Sequence, residues 1–149
     1  MIAVLGANGM AGHIIARFLL SSGHKLITVA RNNSDIDVNF EVRSDIDNLV
    51  DKIKNSDIRF VINCVGLLVQ DSINRPDRAI ILNGWLPIYL ESELKKTDVR
   101  IIHISTDCVF DGMVGPYVES DTHTETNFYG RSKAIGEINN DKDITFEIL

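Results

Sequence analysis

The sequence predicts an α/β protein, a doubly wound parallel sheet with helices on both faces. Three observations carry this. Short apolar runs of strand length alternate with helically patterned stretches along almost the whole chain. The first apolar run leads into a glycine-rich turn, and a helical pattern opens directly behind it. The length of 149 residues, with 44% apolar and 24% charged, suits one domain with a real core.

The elements follow in order. Ile2-Ala3-Val4-Leu5 is a buried-strand run, and Met10 to Leu20 carries Ile14, Ile15, Phe18 and Leu19 at helical spacing. Ser21-Ser22-Gly23 ends that helix, and Lys25 to Val29 is a second strand. Val38 to Val42 is a weaker third strand. Asp45 to Lys54 places Ile46, Leu49, Val50 and Ile53 on one helix face, and Arg59 to Ile62 is the next buried strand. Arg75 to Lys96 reads as helix in two pieces meeting near Asn83-Gly84, with Pro87 tolerated in the first turn of the second piece. Arg100 to Ser105 is a strand. The long Gly-, Pro- and Asp-rich loop from Asp107 to Thr126 points to function rather than linkage. A helix from Asn127 to about Asn140 and an apolar strand from Ile144 to Leu149 complete the pattern.

Composition narrows the function classes. The formal net charge is -6 and the basic residues are scattered, which argues against a nucleic-acid partner, since counterion release needs clustered cations. Two widely separated cysteines, Cys64 and Cys108, form neither a disulfide framework nor a zinc site, and they fit reduced thiols in a cytoplasmic protein. The apolar N-terminal stretch lacks the basic start of a signal peptide. No run reaches the ~18 apolar residues of a membrane span, so no membrane partner is expected.

The turn Gly6-Ala7-Asn8-Gly9-Met10-Ala11-Gly12 spaces its glycines by three. Gly6 permits the tight turn, Gly9 admits a pyrophosphate close to the backbone, and Gly12 lets the helix approach the sheet. The helix N-terminus then faces phosphate charge. The second strand ends Val29-Ala30-Arg31-Asn32, without the carboxylate that would hold an adenosine ribose. Arg31 suits a 2′-phosphate instead, which favours NADPH over NADH.

Tyr129 and Lys133 stand four residues apart at a helix start and share one face. A phenol is a poor proton donor and acceptor near neutrality, and a neighbouring ammonium would lower its pKa. Ser105-Thr106 ends the preceding strand, where open parallel sheets place their ligands. His103, inside an apolar strand, is expected in the core, as is Trp85. His13, His24 and His123 read as exposed, and Asp71, Asp77 and Glu91 as solvated charges.

These segments resemble the extended short-chain dehydrogenases, which are Rossmann-type folds, and most closely the dTDP-4-dehydrorhamnose reductase family. The resemblance is carried by Val4 to Gly12, Val61 to Cys64, His103 to Gly112, Pro116 to Asp121, Tyr129 to Lys133 and Gly136-Glu137. It implies a catalytic triad of Thr106, Tyr129 and Lys133. It also implies cofactor contacts from Gly6, Asn8, Gly9, Met10, Gly12, Asn63, Cys64, Val65, Tyr129 and Lys133, with Glu41-Val42 at the adenine. Cys108 stands where the family has Tyr, a departure that bears on the sugar. The expected activity is NAD(P)H-dependent reduction of a 4-keto nucleotide sugar in deoxysugar or polysaccharide synthesis. The alternatives are an epimerase or dehydratase using the same triad, and a non-catalytic NAD(P)-binding regulatory subunit. Residues 1–149 are expected to be the NAD(P)-binding domain, an N-terminal fragment without the substrate lobe. The expected partner is a nucleotide sugar, with a homodimer left open.

Overall fold

A computed structural model describes residues 1–118 and 120–148. The apolar runs form β1 (Ile2–Leu5), β2 (Leu26–Ala30), β3 (Ile36–Asp37), β4 (Phe60–Asn63), β5 (Arg100–Thr106) and β6 (Ile144–Ile148). They pair in parallel in the order β3-β2-β1-β4-β5-β6. The chain leaves β1 towards β2 and β3, then crosses back to place β4 on β1's other side. The strand order therefore reverses between β1 and β4, the place where open α/β sheets open a crevice. Leu5 is in register with both Val29 and Asn63, and Asn63 with His103. The segments that follow these residues emerge along one sheet edge.

Helix α1 (Met10–Ser21) packs on β1 and β2, where Val4, Ala7 and Ala16 cluster with Ile2 and Leu19. The stripe read from the sequence is only half right. Ile14 and Phe18 are 65% and 67% exposed, and the residues buried against the sheet are Gly12 and Ala16. The helix lies so close to the glycine turn that its smallest residues must face inward. On the opposite sheet face, α2 (Arg43–Lys54) and α5 (Leu86–Leu94) bury Ile46, Leu49, Ile53, Leu86, Leu90 and Leu94 over Ala3, Leu5, Val61 and Ile101. Trp85 is half-buried at the rim of this core. It stacks on Tyr89 at 4.8 Å, and the Arg43 guanidinium lies over both rings. Ile144 and Phe146 are in register with Ile102 and Ile104 and remain 46% and 59% exposed.

Four boundaries differ from the pattern. The third strand lies at Ile36–Asp37, before the expected Val38 to Val42, none of which is strand. Asn39 turns the chain there: its Oδ1 accepts from Glu41 N at 3.1 Å, and its carbonyl accepts from Val42 N at 2.9 Å. A short helix, α3 (Val69–Asn74), precedes the expected one. The stretch read as two helices is α4 (Pro76–Ala79), a widened π turn at Ile80–Trp85, and α5. Finally, α6 runs only from Phe128 to Ile135. Asn127 caps it, accepting from Gly130 N at 2.9 Å, and Asn140 forms a turn of its own by accepting from the Lys142 and Asp143 amides. Glu119 and Leu149, which also fell in the sequence reading, lie outside the described residues.

Candidate active site and dinucleotide cleft

The cleft forms where β1 ends. Gly6 adopts φ +74°, a left-handed conformation, and its amide donates to Val29 O at 2.8 Å. A Cβ there would also stand 3.0 Å from the Cys64 carbonyl oxygen. Gly9 precedes α1, and its amide donates back to Gly6 O at 2.8 Å. Asn8 Nδ2 donates to Asn32 O at 2.6 Å and ties the turn to the end of β2.

Of the expected cofactor residues, Gly6, Asn8, Gly9, Arg31, Glu41, Cys64 and Val65 line this cleft. Met10, Gly12, Val42, Asn63, Tyr129 and Lys133 are not in its lining. Met10 is 73% exposed, and Val42 stands at the N-terminus of α2. Gly12 faces the Gly6 carbonyl, against which any Cβ would collide. Phe40 lines the cleft beside Glu41. Its neighbour Glu41 makes a two-pronged pair with Arg78, whose Nε donates to Oε2 at 2.6 Å. Arg78 also lines the cleft. It comes from α4, 37 residues away from Glu41, so no local pattern marked it.

Asn63 is fully buried and shapes the cleft from behind. Its Oδ1 accepts from Val65 N at 3.1 Å, which leaves its amide nitrogen to donate to His103 Nδ1, also at 3.1 Å. His103 is therefore neutral with its proton on Nε2, and that N–H finds no partner among the described residues. Burial, helped by the charge on Lys133, pushes the imidazole down to about 3. His103 is a core residue, as the sequence implied, and no base.

Beyond the cleft, β5 ends at Thr106. Its hydroxyl accepts from Cys108 N at 3.2 Å and donates to Asp107 Oδ1 at 3.3 Å. Tyr129 and Lys133 are 8% and 5% exposed on α6. The Lys133 ammonium donates to Ile104 O at 2.6 Å. Burial brings it down to about 8, while the Glu137 charge holds it up. Tyr129 departs from the expectation. Its phenol is raised from the ordinary value, first by burial, and the neighbouring Thr106 hydroxyl opposes this only in part. Lys133 is not among the groups acting on it; its ammonium bonds the Ile104 carbonyl on β5. Even so, Lys133 is charge-coupled to Cys64, whose thiol burial lifts to about 11. The three residues therefore gather beside the cleft, with Cys64 between Lys133 and the dinucleotide turn.

Sequence reading missed two supports. Asn83, fully buried in the π turn, accepts from Leu67 N at 2.7 Å and donates to Ser132 Oγ at 3.0 Å. It joins the segment after β4 to α6. Glu137 accepts from Ser105 Oγ at 2.7 Å. Among the described residues no cluster of His, Cys, Asp and Glu has the makings of a metal site, and no helix is long and apolar enough to cross a membrane.

The model of the RmlD substrate binding domain family matches residues 1–144. The chain belongs to this family. It is 32% identical over 139 residues to the probable low-salt glycan biosynthesis reductase Agl14 of Haloferax volcanii, covering 90% of this chain and 46% of that protein. It is also 32% identical to the dTDP-4-dehydrorhamnose reductase of Mycolicibacterium smegmatis, covering 91% of this chain and 40% of that one. The crystal structure of a hypothetical dTDP-4-dehydrorhamnose reductase from Sulfolobus tokodaii superposes with a TM-score of 0.83 at 30% identity, over 98% of this chain and 54% of that one. The chain thus spans about half the length of the family members it matches.

Proposed function

We propose that this family member is the NAD(P)H-binding part of a reductase acting on a 4-keto nucleotide sugar in deoxysugar or polysaccharide synthesis. The observation that carries the reading is the gathering of Thr106, Tyr129 and Lys133 beside the dinucleotide cleft. The cleft fits such a cofactor. Its glycine turn keeps backbone open where a Cβ would collide, and Arg31 makes no ion pair among the described residues. Relatives support the substrate class: they are named as glycan biosynthesis and dTDP-sugar reductases. MoeE5, 26% identical with a TM-score of 0.73, was solved with UDP-glucuronic acid and NAD. Holding a lysine almost fully buried costs stability, which favours a catalytic over a scaffold role. Two free thiols accord with the cytoplasmic location that the reading includes.

The dihydronicotinamide supplies hydride when bound. Tyr129 gives its proton to the keto oxygen, and Thr106 orients that oxygen through its hydroxyl. Lys133, whose ammonium bonds the Ile104 carbonyl beside Cys64, would hold the nicotinamide ribose once the cofactor is bound. A tyrosine with a raised pKa remains protonated before turnover, the state a proton donor needs.

Calorimetric titration of this chain tests the cofactor half. NADPH is expected to bind, and dTDP- or UDP-sugars to bind poorly. Arg31→Ala is expected to weaken NADPH by about 1.5–3 kcal/mol, roughly ten- to hundredfold, and NADH little. Equal losses for both cofactors would show that Arg31 is no phosphate ligand.

The Lys133 ammonium sets a pH limit. Its proton is held below about pH 8 and lost as the pH rises through that value. The kcat profile of the complete polypeptide is accordingly expected to be flat on the acid side of this point and to fall above it. A plateau persisting to the ordinary lysine range near ~10.4 contradicts a requirement for the charged form.

A further inference from the structure

Glu137 lies one turn beyond Lys133, just after the Gly136 cap that follows α6. Its side chain is 14% exposed, and its two oxygens reach two other elements. Oε1 accepts from Ser105 Oγ at 2.7 Å, and Oε2 lies 3.1 Å from His123 Nε2. Ser105 is the buried residue that precedes Thr106 on β5. His123 belongs to the long loop, where it packs edge-on against Phe110 at 5.6 Å, and Phe110 stacks on Tyr117 at 4.4 Å. One carboxylate therefore fastens three pieces: the strand end carrying Thr106, the helix carrying Tyr129 and Lys133, and the loop between them.

The charges around Lys133 give this position a second task. Cys64 faces Lys133 from the end of β4, His103 from β5 and Glu137 from its own side of the sheet. Asp107 and Cys108 face Tyr129. Near neutral pH the Cys64 thiol and the His103 imidazole are both uncharged, since burial holds one at about 11 and the other at about 3. Among the groups acting on Lys133, that leaves Glu137 as the counter-charge. The Ile104 carbonyl can accept the ammonium's hydrogen bond, but it carries no net charge.

We propose that Glu137 is a positioning residue of the reductase: it anchors the Thr106 end of β5 through Ser105 and keeps Lys133 as an ammonium. This rests on the reductase reading given above. Glu137 touches neither cofactor nor substrate in this scheme. It acts through Lys133 and Ser105, with His123 closing its outer side.

Glu137→Gln separates the two tasks, because the amide oxygen still accepts from Ser105 while the charge is gone. The Lys133 titration is followed by NMR on the lysine-labelled chain, without substrate, with Lys133→Arg assigning the signal. Glu137→Gln is expected to lower the proton affinity of Lys133 at least tenfold. Glu137→Asp, which keeps the charge, is expected to hold it close to wild type. In the complete polypeptide the alkaline fall of kcat should move to lower pH by the same factor in Glu137→Gln. Its kcat should recover on the acid side, and KM for NADPH should change little. A purely structural role would lower kcat at every pH and leave the Lys133 titration in place. An unchanged titration in folded Glu137→Gln overturns the proposal. If Glu137→Gln does not fold, a Glu137→Asp chain in which Lys133 keeps its titration while Thr106 resonances stay fixed supports it, and an altered Lys133 titration there overturns it. Absence of turnover in the wild-type polypeptide sinks the reductase reading instead, independently of the titration.

Discussion

Replacing Tyr129 with Phe is expected to lower turnover by about 10²–10⁴-fold, the range that a positioned proton donor contributes, while cofactor binding stays nearly intact. The substitution removes one oxygen from a side chain that is only 8% exposed, and the ring keeps its place in the packing. The lost hydroxyl is the one next to Thr106, whose own hydrogen bonds run to Asp107 and the Cys108 amide, so little change in stability is expected. It does not line the dinucleotide cleft, so NADPH affinity has no reason to move. The check is steady-state reduction of a 4-keto nucleotide sugar by the complete polypeptide, paired with cofactor titration by fluorescence. Turnover near that of the parent would show that the proton comes from elsewhere and that the triad is misassigned.

The second large effect is expected at Gly12, the glycine that the sequence reading gave the role of letting the helix approach the sheet. Gly12 is the point where α1 meets the turn, and a Cβ there runs into the Gly6 carbonyl and the Ala7 backbone. Both obstacles are main chain, so no side chain can swing aside. Gly12→Ala is expected to cost about 1–3 kcal/mol through overpacking, a fall of roughly 2–12 °C in Tm at this chain length. NADPH affinity should fall with it, because relief of the clash must move either α1 or the Gly6 turn. Ile14→Ala, two residues along the same helix, is expected to stay within about 0.5 kcal/mol of wild type, because Ile14 is 65% exposed. Thermal melts and calorimetric titration of the two variants decide it. Equal destabilisation would mean that α1 docks on its apolar stripe and not on its small residues.

Much of the candidate site was legible because its signals are local. The glycine spacing sits within seven residues, and Tyr129 and Lys133 within five. The features that escaped are joined across long sequence separations. The Glu41–Arg78 pair links residues 37 apart, the Asn83–Ser132 bond 49 apart, and the Ser105–Glu137 bond 32 apart. Each partner taken alone looks like an ordinary polar residue on a helix or in a turn. Val42, placed at the adenine by family resemblance, stands outside the cleft lining, while Phe40 and Glu41 on the turn set by Asn39 line it.

By itself the sequence determined the order of strands and helices, the glycine turn, the core position of His103 and the residue types available for catalysis. Alternation and periodicity are properties of short windows, and hydrophobic burial acts on them directly. Only the tertiary structure decided which side of α1 meets the sheet, because that depends on how closely two backbones approach at Gly6 and Gly12. Only it decided the electrostatics of the candidate catalytic residues. A lysine four residues from a tyrosine ought to acidify it. Here burial raises the phenol, and the ammonium turns to the Ile104 carbonyl and the field of Glu137. Desolvation and distant charge are set by everything packed around a group, and no window of sequence contains them.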